Sequence, residues 1–355
     1  VKLEINGIQY TNFTSAECSI RLDALSNTFR FDAAAPNGEP LPFKVGDACR
    51  VIVDGEKVLT GFVEIINVSY DGSEHSISVM GRDKTADLLD STVDIIDDLN
   101  GENLTLKGVI EAVIKQLGLS LIVIDQAKPK PFSYAEDIVA PESGDNAFEF
   151  IEKYARKRHV LLTSNADGNI VIATNSGVKA AGAVQHIIGA SDNNVLSSEF
   201  SNDATGRFNF YKFASQLNPV ALNNAGDVGL ASLVAQSGGV FDKYIRTGRQ
   251  LVITSEASFS DENCGQRARW EADIRKARGL MYSADVAGYR VGVNTGELWE
   301  TNKLYQIVDD FAQEIDLMLC NSVTFSLDLD RGSMTSLGFL GRTAYTLPIE
   351  EVSDA

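Results

Sequence analysis

The chain has 355 residues, 44% of them apolar, which is enough for two or three domains with buried cores. Its 49 acidic residues outweigh 31 basic ones, and the net charge of −18 argues against a general affinity for phosphate backbones or anionic lipid. No apolar run approaches the roughly 18 residues that cross a bilayer, so no membrane insertion is expected.

The opening residues, VKLEINGIQY, contain neither a basic nor a long apolar region, and no secretion signal is expected there. The first 90 residues read as β. Short apolar runs such as ACRVIV, GFVEIINVSY and HSISVM are separated by Pro36-Asn37-Gly38, Asp54-Gly55 and Asp71-Gly72. In HSISVM, Ile77 and Val79 share one face and Ser76 and Ser78 the other, a period of two. Strands this short, with turns at this spacing, suggest a small barrel or sandwich.

The pattern changes after Asp90. STVDIIDDLNGEN is an acidic connector. TLKGVIEAVIKQLG then places Leu106, Val109, Ile110, Val113, Ile114 and Leu117 at helical spacing, with Gly118 as the stop. A β run, LSLIVI, follows, then a proline-rich extended loop, DQAKPKPFSYAEDIVAPES. A second helix is expected over about Asn146 to Arg158, with Phe148, Ile151 and Ala155 inward and Ser143 or Asp145 as cap. A hairpin, VLLTS-NADGN-IVIAT, completes a compact α/β unit.

The third region opens with an expected long hairpin, VLSSEFSNDATGRFNFYKFAS, turning near Ala204-Thr205-Gly206. Residues 216–240 are small, Gly/Asn/Ala-rich and weakly periodic, a long loop. A helix from about Asp261 to Arg278 follows, capped by Ser260, with Trp270, Ile274 and Ala277 inward. The chain then returns to β in LWETNKLYQIVDD and NSVTFSLDLDRGSMTSLGFLGR.

Residues 62–82 overlay residues 322–342 without a gap, with six of 21 positions identical. Val63 meets Val323, Ile65 meets Phe325, Ile77 meets Leu337 and Val79 meets Phe339. Gly72 meets Gly332, and Gly81-Arg82 meets Gly341-Arg342. VIVD (51–54) and QIVD (306–309) precede the two copies at similar distances. Alternation of this kind is kept only if the faces match, which points to two copies of one small barrel with the α/β unit between them.

Few residues offer chemistry. His75, His159 and His186 have no second histidine or cysteine at ligand spacing, and no GxSxG, Walker-type or GxGxxG motif is present. Cys18, Cys49, Cys264 and Cys320 are scattered, which reads as buried free thiols in a reducing compartment. The acidic clusters Asp94/Asp97/Asp98, Asp309/Asp310 and Asp328/Asp330 read as surface. Asp328-Leu-Asp330 opens like a calcium loop, but its twelfth position is Phe339, where a bidentate glutamate is needed. The basic run RARWEADIRKARG, with Arg267, Arg269, Arg275, Lys276 and Arg278, reads as a solvated or ion-paired helix face rather than an anion site. No catalytic residue, metal or cofactor is assigned.

The charged corner Gly81-Arg82-Asp83-Lys84 is a poor phosphate cradle. Its second copy keeps Gly341-Arg342 but continues Thr343-Ala344, so Asp83 and Lys84 do not recur. These six residues, Gly81, Arg82, Asp83, Lys84, Gly341 and Arg342, are read as a structural joint. The glycine frees the backbone at the strand end, and the arginine reaches a neighbouring carboxylate.

Several motifs resemble a known family. Val45-Gly46-Asp47, the Thr60-Gly61 step, GRDKTADLLDS, RARWEADIRKARG, Val286-Ala287-Gly288 and GELWETNKLYQIVDD are similar to baseplate hub proteins of Mu-like contractile-tailed phages and prophages. The resemblance covers roughly residues 1 to 345. It extends to the hub of T-even phages and the N-terminal part of type VI secretion spike proteins. It implies a homotrimer whose chains each supply two tube-like barrels, joining a hexameric tail tube to a central spike and lining the DNA channel. Partners would be the tube protein, the spike, other baseplate proteins and DNA in passage. The location would be the virion tail baseplate, assembled in the host cytoplasm.

The expected fold is α+β and β-rich: two similar small β-barrels, an inserted α/β domain and a helix-containing segment. The expected domains are 1–92, a first barrel; 93–178, the α/β insertion; 179–345, a second barrel with an insertion at about 216–290; and a tail, 346–355. The alternative function is a tail-associated cell-wall hydrolase working through a carboxylate pair.

Overall fold

The computed structural model describes residues 1–34, 42–71, 75–96, 99, 104–132, 139–214, 237–254, 261–292 and 296–346. Strands dominate. β1 (Lys2–Ile5) and β2 (Ile8–Tyr10) form a hairpin across Asn6-Gly7, both at positive φ, as a two-residue turn of that hand requires. β3 (Ser15–Arg21), β4 (Thr28–Ala34), β5 (Ala48–Val53), β6 (Glu56–Tyr70) and β7 (His75–Asp83) follow. Every second residue goes inward: Ala16 and Cys18, Phe29 and Phe31, Val51 and Val53, Ile77 and Val79.

The α/β unit contains α1 (Ala86–Asp90), α2 (Leu106–Leu117), β8 (Val123–Asp125), α3 (Ala147–Lys157), β9 (Leu161–Ser164) and β10 (Ile170–Ala173). Thr105 caps α2 by accepting from the Gly108 N–H at 3.0 Å, and Gly118 ends it at φ 67°. Asn146 caps α3, accepting from the Glu149 N–H at 3.0 Å, in place of the expected Ser143 or Asp145. β10 pairs with β8 in parallel and with β9 antiparallel. The helices bury Val109, Ile110, Ile151 and Tyr154 with Ile170 and Ile172 in one core.

The remainder comprises β11 (Lys179–His186), β12 (Val195–Asn202), β13 (Phe210–Ala214), β14 (Ser237–Phe241), β15 (Gln250–Thr254), α4 (Asp261–Arg278), β16 (Leu280–Ala287), β17 (Leu304–Asp309), β18 (Glu314–Asp328) and β19 (Gly332–Gly341). The hairpin expected over 195–214 does not form. The chain turns after Asp203, which accepts from the Thr205 N–H at 2.7 Å, but the two strands enter different sheets. β12 pairs with β16, while β13 pairs with β14 and β15. The Asp203 N–H donates to Gly279 O at 2.7 Å, which ties the end of β12 to the start of β16. α4 has the expected span and buries Trp270, Ile274 and Ala277. Pro36-Asn37-Gly38, Gly72, Asp97 and Asp98, most of the 216–240 loop, Ser260 and nearly all of the tail lie outside the described residues.

Thirteen of the described strands join in one sheet. Its main path runs β12-β16-β19-β18-β3-β4-β7-β6-β5-β1-β2, with β17 attached to β18 and β11 to β17. One half therefore reads β3-β4-β7-β6-β5-β1 and the other β12-β16-β19-β18-β17-β11. The order is the same in both. The last strand differs in sense, since β1 is antiparallel to β5 and β11 is parallel to β17. Antiparallel pairing of β18 with β3 joins the halves.

The gapless overlay thus matches the right strands, β6 with β18 and β7 with β19, in the wrong register. Each long strand is bulged, β6 at Glu64 and β18 at Asn321. Matching the bulges sets Val63 on Cys320 and Gly81 on Phe339. Ile65 and Phe325, paired in the overlay, face opposite ways: Ile65 is 47% exposed and Phe325 1%. A bulge inverts the alternation beyond it, which a gapless overlay cannot represent. Gly81-Arg82 and Gly341-Arg342 are therefore not equivalent.

The corrected register has a side-chain signature. Ser15 of β3 lies opposite Asp32 of β4 and donates to its Oδ2 at 2.8 Å. Ser197 of β12 lies opposite Asp285 of β16 and donates to its Oδ2 at 2.8 Å. Asp32 is in turn opposite Ser78, and Asp285 opposite Ser336. Ser15-x-Glu17-x-Ser19 thus corresponds to Ser197-x-Glu199-x-Ser201.

Candidate functional site

The corner Gly81-Arg82-Asp83-Lys84 ends β7 and leads towards α1. Gly81 lies in extended strand, so backbone freedom is not its purpose. A Cβ there would overlap the Phe62 carbonyl oxygen and stand 2.6 Å from the Phe29 ring. Arg82 grips Glu64 with Nε and Nη2 at 2.7 and 2.9 Å, and Asp90 with Nη1 and Nη2 at 3.2 and 2.5 Å. Its hydrogen bonds hold the Asp90 carboxyl below the usual carboxylate range, and those of Asp90 and Glu64 raise the guanidinium in return.

Asp83 points inward and is only 1% exposed. Its Oδ1 accepts from Ser26 Oγ at 3.1 Å, the Thr85 N–H at 3.1 Å and Thr85 Oγ1 at 2.5 Å. Its Oδ2 accepts from the Asn27 N–H at 2.9 Å and from Ser164 Oγ. The Lys84 N–H donates to Thr60 O at 3.2 Å, and its stem packs where Gly168 leaves room for it. Ser164 and Gly168 flank the β9–β10 turn, so strand and α/β unit meet here. Both Asp83 oxygens are taken by neutral donors away from solvent, which leaves no free lone pair for acid–base work. Gly341 packs on α4, 3.2 Å from a would-be Cβ to Ala277 Cα. The Arg342 side chain is exposed, and its carbonyl accepts from Asn175 Nδ2 at 2.8 Å.

A second buried carboxylate escaped the sequence reading. Asp309, counted there as surface, is fully buried. It accepts from Tyr282 Oη at 2.7 Å, Ser198 Oγ at 2.9 Å and the Phe311 and Ala312 N–H groups at 3.0 Å, with His186 Nδ1 at 3.5 Å. Burial alone would raise its pKa, but these donors together hold it below the ordinary value. Period two carried the signal. Tyr305, Ile307 and Asp309 share one face, as do Ile77, Val79, Gly81 and Asp83.

The remaining candidates are occupied. A cleft of about 290 Å³ between β6, β18 and the β9–β10 turn is lined by Glu56 and Glu300, among others. Glu56 is paired with Arg290 at 2.8 Å and Glu300 with Lys303 at 3.1 Å. Several α4 cations lie against aromatic rings: Arg267 over Trp270 at 4.3 Å, Arg275 over Phe208 at 5.7 Å, Lys276 over Tyr244 at 5.7 Å. Asp328 Oδ1 accepts from the Asp330 N–H at 2.8 Å and the Arg331 N–H at 3.2 Å, an Asx turn at the hairpin tip. His159 is buried beside Trp270, where desolvation and then Arg267 and Arg158 lower its pKa to about 3. Among the described residues no group of three or more His, Cys, Asp or Glu side chains has metal-holding geometry. All four cysteines are buried, and none forms a disulfide.

Comparisons with known proteins agree with this structural character. Residues 1–83 match the family described as Mu phage baseplate assembly protein GpP-like, N-terminal, and residues 85–174 the family described as baseplate hub protein gp44-like, second domain. The baseplate hub protein gp44 of Escherichia phage Mu is 24% identical over 99% of this chain and 90% of its own. The 43 kDa tail protein of prophage MuSo2 from Shewanella oneidensis has a TM-score of 0.79 at 29% identity, covering 97% of this chain and 99% of that one. The c3393 protein of E. coli, a type VI secretion component with structural similarity to the T4 tail proteins gp27 and gp5, shares the fold at TM-score 0.56. It is 12% identical, over 98% of this chain and 80% of that one. Two hub domains match in order and a Mu hub protein matches along almost its whole length, so the chain is similar over nearly its full extent to the baseplate hub proteins of Mu-like phage tails.

Proposed function

We propose that the chain is the homotrimeric hub that joins the hexameric tail tube to the central spike. Each chain contributes two small barrels, residues 1–92 and 179–345, with the α/β unit 93–178 inserted and about 216–290 as an elaboration. Three chains then present six barrels to a sixfold tube and three copies to a threefold spike. The observation that carries this is the repeated strand order, β3-β4-β7-β6-β5-β1 and β12-β16-β19-β18-β17-β11. A symmetry adaptor requires such internal duplication.

The six corner residues are proposed as structural. Gly81, Arg82, Asp83 and Lys84 fix the exit from the first barrel, and Gly341 and Arg342 close the second against α4 and Asn175. The acidic excess would line the channel and repel DNA in passage. The protein would work in the virion tail baseplate after assembly in the host cytoplasm, beside other baseplate proteins and without catalysis. Light scattering together with a peptidoglycan-clearing assay tests this. A stable trimer without clearing is expected; a clearing monomer would replace the hub with the hydrolase.

A further inference from the structure

The two sheet halves are equivalent in order but not in pairing. The first part of β18 pairs with β17, and its distal part, Ser322–Asp328, pairs with β3. The first part of β6 likewise pairs with β5, yet its distal part, residues 65–70, pairs with β7 alone among the described residues. β12, the counterpart of β3, pairs with β16 alone among the described residues. Each half thus has one strand edge for which the other half has a partner.

The exposed residues lie where this asymmetry puts them. With the bulges matched, Val68 corresponds to Phe325 and Tyr70 to Leu327. Phe325 is 1% exposed, while Val68 is 59% exposed and Tyr70 79%. On the other edge, Ala16 and Cys18 of β3 are buried, but their counterparts Ser198 and Phe200 are exposed and half-buried. Leu196, just before them, is also exposed. The same positions are more exposed in one half than in the other, and the in-chain contact shows what covers them.

We infer that the distal part of β6 pairs antiparallel with β12 of a second copy, repeating the β18–β3 contact between chains. The inference rests on the multi-chain hub reading and specifies its interface. The register follows by transfer. Cys18 opposite Phe325 becomes Phe200 opposite the neighbour's Val68, and Ser19 opposite Thr324 becomes Ser201 opposite the neighbour's Asn67. The Ser19–Thr324 hydroxyls are 3.0 Å apart, and Ser201 and Asn67 keep a polar pair there. The contact is head to tail, so each added copy offers the same two edges, and a ring closes when the last copy meets the first.

Paired cysteines test the register on the full chain. Residues directly opposite in antiparallel strands have Cα atoms about 4.5–5.5 Å apart, within reach of a disulfide, whereas diagonal neighbours are too distant. The native thiols are buried, so mild oxidation reads the introduced ones. Asn67→Cys with Ser201→Cys is expected to give a non-reducing ladder at multiples of the 38.4 kDa chain. Ser69→Cys with Ser201→Cys, two residues off register, is expected to give none. Val68→Asp, at a position exposed within one chain, should keep the melting curve of the isolated chain and abolish the ladder in the first pair. An assembled oligomer that fails to cross-link at 67/201, or cross-links equally at 69/201, overturns this interface and leaves the hub reading standing. A single-chain mass by light scattering overturns both.

Discussion

Asp83 shows how a charged residue can be structural without a cation. Five donors from four residues converge on it, and removing the carboxylate takes the acceptor from the buried Asn27 and Thr85 N–H groups. Asp83→Ala is expected to cost about 3 kcal/mol in urea unfolding, and a loss under about 1 kcal/mol would contradict the role. Arg82→Ala should cost no more than about 1 kcal/mol, because its ion pairs are partly solvated. His159 supplies a pH signature. Its folded pKa of about 3 lies well below the ordinary histidine value, so between the two the unfolded chain binds a proton that the fold refuses. Stability therefore falls as pH drops from about 6.5 towards 3, by about 2 kcal/mol at pH 5. Asp309, whose folded pKa is lowered, contributes stability above the unfolded carboxylate value and loses it at lower pH, outside the pH 5–7 comparison. His159→Asn, which tolerates the φ of 58°, should flatten the change between pH 7 and pH 5 in thermal unfolding. An unchanged slope in the variant would assign the effect to another group.

At the level of elements, much was legible. The helices at 106–117, 147–157 and 261–278 and the strands of the first 90 residues follow from periodicity and turn chemistry, which are local. What failed depends on partners far along the chain. The β12–β13 hairpin reads well locally but is undone because β12 pairs with β16, over 80 residues on. The repeat was visible through its alternation, while its register was hidden by bulges at Glu64 and Asn321 that no residue type marks. The corner's importance was legible from its charges, but the reason for Gly81 was not, since its crowding comes from Phe29 and Phe62. Gly81→Ala should therefore destabilise the first half of the sheet by about 3 kcal/mol or more. A variant within about 0.5 kcal/mol of the parent in chemical unfolding would show that β6 and β7 can part without cost.

For the whole molecule, duplication of one strand order within a single sheet is the feature that matters. In the proposed hub it would let one chain occupy two equivalent places, while the α/β unit and the α4 segment make the halves different. If the edges of β6 and β12 left unpaired among the described residues meet between copies, a closed ring of chains results, and the proposed hub requires three of them. The most direct test is electron microscopy of the purified full-length oligomer at a resolution that separates barrels. The expected result is three chains giving six barrel densities around an open axis, alternating in their outer decoration. A single chain, an open filament or a filled axis would contradict it.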